Sequence, residues 1–280
     1  MTAISATQVK ELRDKTGAGM MECKSALSEA GGDVARAEDI LRIKGGAKAS
    51  KAASRVAAEG MVGAWLSPDA KSGALVELNC ETDFVAKNED FMAFAAELAA
   101  LVGEADPGDV PALLARAAGG VTVEQKRQRL IQKIGENISI RRFERLAASG
   151  RLALYIHGNR KTGVLVDFEG PDDTGKDIAM HVAFHKPAFL AKSEVAPDVV
   201  ARERQILQAR AAESGKPPEI AAKMVDGGVN KFLGEITLLG QPFVKDDKQT
   251  VEKVLKARNA KVFGYRFLAV GAGIEKKTAD

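Results

Sequence analysis

The residues with the clearest chemical potential are Thr82-Asp83-Phe84-Val85, at the end of the stretch Val76-Glu77-Leu78-Asn79-Cys80-Glu81-Thr82-Asp83-Phe84-Val85. Val76 and Leu78 alternate with Glu77 and Asn79, the period of a strand with one apolar and one wet face. Glu81, Thr82 and Asp83 are poor strand formers but suit a turn or the opening of a helix. Phe84 therefore stands beside an acid at a strand-to-helix corner. Two readings stay open: Asp83 as a cap with Phe84 in the core, or Phe84 as a projecting probe for another molecule.

Other arrangements resemble reactive sites and fail on chemistry. Gly170-Pro171-Asp172-Asp173-Thr174-Gly175-Lys176-Asp177 has phosphate-loop spacing after a strand. Asp177, however, replaces the hydroxyl residue that would hold Mg²⁺, and Asp172 and Asp173 would repel phosphate. His181 and His185 are four apart, as in a zinc-protease helix, but Val182 stands where the catalytic Glu belongs. Cys23 and Cys80 are far apart and form no CxxC, so a disulfide framework and a zinc site are not expected and a reducing compartment fits. From Lys126 to Arg145 there are seven basic and two acidic residues. That stretch reads as an anion or RNA patch, or as a solvated helix face with arginines at a sheet edge; Phe143 alone stands among the charges, without the aromatic interleaving that base stacking would want. An enzyme with its own chemistry is not expected, nor a metal, a cofactor or direct nucleotide binding.

The 280 residues exceed one small domain, and 45% hydrophobic with 28% charged residues is a globular composition. A net charge of +3 is low for a dedicated nucleic-acid binder. The opening MTAISATQVKELRDK lacks an apolar stretch, and no run of 18 apolar residues occurs. A cytoplasmic protein without signal peptide or membrane span is expected.

Residues 1–56 read as a helical unit with its connector. Ser5-Ala6-Thr7-Gln8 is a capping box, followed by Val9 and Leu12 on one face. After Thr16-Gly17-Ala18-Gly19, a second helix aligns Met20, Cys23, Leu27 and Ala30. Asp33 caps a third helix with Val34, Ala37 and Leu41 inside, and the Ala/Lys-rich GGAKASKAASRVAAEG reads as a connector. The TGAGMM loop is a candidate contact site with Met20 or Met21 exposed; both partly buried at a hinge is the equal alternative.

An internal repeat organises the rest. Gly60 and Gly73 bracket one hairpin, Gly150 and Gly163 another ninety residues on, and each hairpin precedes a helix (88–102 and 176–184). Val121–Gly135 reads as an amphipathic helix leading to the strand Ile138–Phe143. Residues 190–233 read as an inserted helical hairpin, with Val199, Ile206 and Leu207 on one helix and Ala221, Val225, Gly228 and Phe232 in line on the other. It is expected to project toward a partner or its own copy. Strands at 238–244 and 262–270, a helix at 250–257 and a polar tail Gly271–Asp280 complete the chain. The expected class is α+β: subdomains at 57–147 and at 148–189 with 234–280, both antiparallel.

Five stretches together resemble bacterial translation elongation factor Ts. They are VKELRDKTGAGMMECKSAL (Val9–Leu27), VELNCETDFVAKNEDF (Val76–Phe91), KIGENISIRR (Lys133–Arg142), HVAFHKPAFL (His181–Leu190) and GQPFVKD (Gly240–Asp246). The resemblance implies a ubiquitin-associated-like three-helix domain, a core of two related subdomains and a helical hairpin in the second. It also implies a non-enzymatic exchange factor that binds elongation factor Tu, GDP-bound and nucleotide-free, promotes GDP release and leaves when GTP enters. By the same resemblance Thr82, Asp83, Phe84 and Val85 act near the partner's Mg²⁺ site. Lys10, Arg13, Met20 and Met21 contact its nucleotide-binding domain, and His157, in Tyr155-Ile156-His157-Gly158, another domain. The longer C-terminal helical module of some members is expected to be missing after Gly271–Lys276. A two-to-two assembly through the hairpin and a one-to-one complex both fit. A ubiquitin-like or targeting module in residues 1–56, and an RNA-binding translation accessory using Lys126–Arg145, are the competing classes.

Overall fold

A computed structural model describes residues 4–275; the last five residues of the expected polar tail lie outside them. The N-terminal unit forms as its caps dictate. Ser5 Oγ accepts from the Gln8 amide at 3.2 Å and the Gln8 side chain accepts from the Ser5 amide at 3.0 Å, opening α1 (Ala6–Thr16). Two amides without intrahelical partners are thereby satisfied. Gly17 closes α1 with φ 70°, and α2 (Met20–Glu29) and α3 (Val34–Ala52) follow, with Asp33 capping α3. Leu12, Cys23, Ala26, Leu27, Ala37 and Leu41 close a small core. Met20 is not part of it: the buried stripe of α2 begins at Cys23. Of the Ala/Lys stretch, residues 45–52 extend α3 unbroken through Gly45-Gly46, and residues 53–58 link it to β1.

The first subdomain runs β1 (Glu59–Leu66), β2 (Ser72–Cys80), α4 (Glu89–Ala105), α5 (Val110–Ala115), a small ribbon β3 (Ala117–Ala118) with β4 (Val121–Thr122), α6 (Val123–Ile134) and β5 (Ser139–Ala147). The second runs β6 (Arg151–Ile156), β7 (Thr162–Glu169), α7 (Asp172–His185), the hairpin α8 (Pro197–Glu213) with α9 (Pro218–Ile236), a ribbon β8 (Pro242–Phe243) with β9 (Asp246–Thr250), α10 (Val251–Ala257) and β10 (Lys261–Ala269). The sheets are antiparallel, ordered β1-β2-β5 and β10-β7-β6. The late strand expected over 238–244 is instead a 3₁₀ turn at Leu238–Gly240 before β8. Ile206, expected inside the hairpin, is exposed, whereas Val225 and Val229 are buried there.

The ninety-residue repeat is also a repeat of hydrogen bonds. Val62 N–H donates to Arg160 O and Leu152 N–H to Ala70 O, each at 2.8 Å. Ala70 and Arg160 both adopt a left-handed conformation, φ 55° and 56°. Asp69 and Asn159 each accept from the amide two residues on, at 3.0 Å. The sheets meet face to face through Val62, Leu75, Leu152, Leu165 and Leu268. Residues of α4 and of α7 fill the cores on their outer sides. Gly73 and Gly163 lie at the closest approach, where added Cβ atoms would stand 2.9 Å from a Leu165 methyl and 2.7 Å from a Val62 methyl.

This packing corrects the expectation of a wet face on β2. Glu77 and Asn79 are 0% and 1% exposed, on the face of β2 whose Leu75 packs between the two sheets. Glu77 meets Arg141 at 3.0 Å, Arg142 at 2.6 Å and the Gly271 amide at 2.8 Å. A bulge opposite Glu77 lets these consecutive arginines reach one carboxylate. Asp167, its counterpart ninety residues on, takes the Ser149 and Gly150 amides at 2.8 and 3.0 Å.

Candidate partner-binding site

The two repeats differ most where strand passes to helix. Between β7 and α7 stand only Gly170 and Pro171; between β2 and α4 stand the eight residues Glu81–Asn88. This longer corner carries Thr82-Asp83-Phe84-Val85. Its root is fixed by one carboxylate: Glu136 Oε2 accepts from the Glu81 and Thr82 amides, both at 3.0 Å, and Oε1 from the Thr82 hydroxyl at 2.6 Å. Its far end closes as a 3₁₀ turn at Val85–Lys87, with Val85 and Ala86 packed on the core. Asn88 then caps α4 by accepting from the Asp90 and Phe91 amides at 3.0 and 3.3 Å.

Asn88 holding the cap excludes the reading of Asp83 as the cap with Phe84 in the core. Asp83 instead pairs with Lys87 at 2.8 Å, which holds its carboxyl below the usual range. Phe84, held between fixed neighbours, is 80% exposed. Beneath it Cys80 Sγ donates to Thr82 O at 3.1 Å, and burial, with Glu136 and Glu59 nearby, pushes its pKa up to about 12. It stays a thiol at neutral pH.

Two loops that carry or precede other sequence-predicted residues lie against α4 next to the corner. Arg160 reaches Met92 Sδ at 3.4 Å, so the β6–β7 turn bearing His157 lies against α4. His157 is exposed, its Nδ1 3.1 Å from Tyr155 Oη. Lys133 pairs with Asp90 at 2.6 Å, and a cleft lined by Thr16, Gly17, Asp90 and Phe94 sets the α1–α2 loop against the start of α4. Just past that loop Met20 and Met21 are 59% and 73% exposed. Lys10 and Arg13 are exposed on α1, and among the described residues no hydrogen bond or ion pair ties their side chains to the corner. Glu136, Asn137 and Arg55, which hold the corner's root, carry no periodic or turn signal that singles them out.

A profile of the family described as Elongation factor TS matches residues 81–272. Proteins named Elongation factor Ts from Bordetella petrii and Bordetella avium are 58% identical over 280 residues, covering all of this chain and 96% of each relative. One from Nitrosomonas eutropha is 58% identical over 283 residues, with the same coverage. The chain belongs to the elongation factor Ts family.

In this family member the rejected motifs have structural roles. Asp177 pairs with Lys245 at 2.6 Å and Arg258 at 3.0 Å; burial raises its pKa, but these cations outweigh it and lower the carboxyl overall. His181 is buried, accepting from the Val244 amide at 3.1 Å through Nδ1 and lying 2.9 Å from Gln241 Oε1 through Nε2. Within the basic stretch Lys126, Arg127, Lys133, Arg141, Arg142 and Arg145 each pair with a carboxylate. Among the described residues no three His, Cys, Asp or Glu side chains group to hold a metal.

Proposed function

We propose that this elongation factor Ts family member binds elongation factor Tu and promotes GDP release by inserting the Thr82–Val85 corner near the partner's Mg²⁺ site. The observation that carries the reading is Phe84, a large apolar side chain 80% exposed on a corner held at both ends. Desolvating it in a partner's cleft is worth about 1.5–3 kcal/mol. Because the corner is already ordered, little of that is lost to fixing it. Mg²⁺ bridges a nucleotide's phosphates and its protein and is a dominant local charge. Loosening its supporting loops weakens GDP, and by linkage GDP weakens the hold of this protein to the same degree. Met20, Met21, Lys10 and Arg13 would meet the nucleotide-binding domain and His157 a second domain. The β6–β7 turn bearing His157 and the α1–α2 loop that precedes Met20 both lie against α4, which supports one contact face. The site of action would be the cytoplasm; no described helix is long and apolar enough to cross a membrane. A two-to-two assembly through the α8–α9 hairpin, with Ile220 and Met224 exposed, is compatible with the same corner.

The test follows release of a fluorescent GDP analogue from elongation factor Tu with and without this protein, in Mg²⁺ and in excess EDTA. Acceleration is expected in Mg²⁺, shrinking in EDTA, where the ion is already gone. No acceleration would overturn the exchange reading, and equal acceleration in EDTA would overturn the Mg²⁺ route. The RNA-binding reading gains no observation, since six of its seven cations are paired within the chain.

A further inference from the structure

The root of the corner carries a network that the hairpin-plus-helix unit does not require. Glu136, in the turn between α6 and β5, takes three donors from the corner: the Glu81 and Thr82 amides and the Thr82 hydroxyl. Glu81 answers in the opposite direction, its carboxylate accepting from the Asn137 amide and meeting Arg55 Nε at 3.2 Å. Arg55 Nη2 donates to Gly135 O at 3.0 Å, and the Asn137 side chain donates to Arg55 O at 2.8 Å. Corner, α6–β5 turn and the segment after α3 are thus cross-linked by reciprocal bonds. In the second repeat Gly170-Pro171 leaves no such loop to hold. The network therefore belongs to the longer corner, not to the repeated unit.

We propose that Glu136 is a positioning residue for nucleotide exchange: it holds the backbone two residues before Phe84, and Arg55 ties that anchor to the N-terminal unit. The assignment rests on the exchange reading above. A charged acceptor serving two successive amides and a hydroxyl removes most of the rotational freedom at Glu81 and Thr82. Phe84 then reaches the partner without first being ordered. Glu136 is assigned no contact with nucleotide; it acts through Phe84.

Amide hydrogen exchange at Glu81 and Thr82 is measured in the wild type, Glu136→Ala and Glu136→Gln. Fluorescent GDP release from elongation factor Tu is followed with the same proteins, with Phe84→Ala and with the double variant, across a concentration series. Glu136→Ala is expected to lose amide protection and to lower the saturating release rate roughly tenfold, with a smaller change in the half-saturating concentration. Glu136→Gln restores most of the loss, since its oxygen can serve the amides and its NH₂ the hydroxyl. Adding Glu136→Ala to Phe84→Ala costs little more, because the two act in series. If Glu136→Ala does not fold, Thr82→Val, which removes the hydroxyl's bond to Glu136 together with the long one it accepts from the Val85 amide, carries the same predictions at smaller size. Unprotected amides in the wild type overturn the clamp. So does wild-type release by Glu136→Ala beside an impaired Phe84→Ala, or fully additive losses in the double variant; each leaves the exchange reading standing. No acceleration by the wild type overturns the exchange reading and this role with it.

Discussion

Phe84 is kept in water by its neighbours: Val85 and Ala86 are drawn into the core and Thr82 into the Glu136 clamp, so the ring between them faces outward. An exposed aromatic contributes little to folding. Phe84→Ala should therefore change the unfolding free energy by no more than about 0.5 kcal/mol, as read by urea denaturation. A larger loss would mean the ring packs on the protein. His181 is the reverse case, 0% exposed. The Val244 amide occupies Nδ1, leaving the proton on Nε2 toward Gln241, so the ring is neutral. Burial lowers its pKa to about 4, with His185 adding to the effect against the opposing Gln241 bond. The folded pKa lies below the unfolded one, so the unfolded chain binds more protons between them. Stability is complete above about pH 6.5 and falls by about 2 kcal/mol by pH 5. Urea titrations at pH 7.5 and 5 should show that fall in the wild type and not in His181→Gln; equal falls in both would remove His181 as its source.

At the scale of elements, the repeated glycines mark where backbones nearly touch. A Cβ on Gly60 would stand 2.1 Å from Leu78 O and one on Gly150 2.3 Å from Phe168 O, whereas at Gly73 and Gly163 the nearest atoms are side-chain methyls that can move. Gly60 also has φ 142°. Gly60→Ala should cost about 3 kcal/mol and Gly73→Ala clearly less, by thermal or urea unfolding. Equal costs would mean the strand ends can shift as freely as the leucine tips. These glycines make the two hairpins legible in the sequence, as Ser5 and Asp33 do the helix starts. Burial of Glu77 and Asn79 is not legible. Alternation reports a polar face, and the burial and pairing of Glu77 depend on Arg141, Arg142 and Gly271, 64, 65 and 194 residues away. The corner is half legible: its residues break the strand pattern, but the direction of Phe84 follows from Asn88 taking the cap and Glu136 taking the amides. Glu136 itself sits in a short turn between Gly135 and Asn137, where local sequence says nothing of its partners 54 and 55 residues distant.

At the scale of the molecule, the N-terminal unit joins the core through Arg55, through Lys48 on Gln132 O at 3.2 Å, and through Gly45, where a Cβ would stand 2.9 Å from Gln132 Oε1. A chain lacking the N-terminal helices should keep the corner and a residual acceleration of GDP release, with weaker binding of elongation factor Tu. Complete loss with the core still folded would shift the function to the N-terminal unit. The low net charge and the paired cations predict weak RNA binding that fades steeply with salt, measurable by filter retention. Tight, salt-resistant binding would contradict the assignment of those cations to the protein's own carboxylates. The central claim, that an exposed aromatic on a fixed corner drives exchange, is tested most directly by fluorescent GDP release from elongation factor Tu with saturating wild type and saturating Phe84→Ala. The account predicts strong acceleration by the wild type and a release rate at least about tenfold lower with the folded variant. Equal acceleration by both would contradict it.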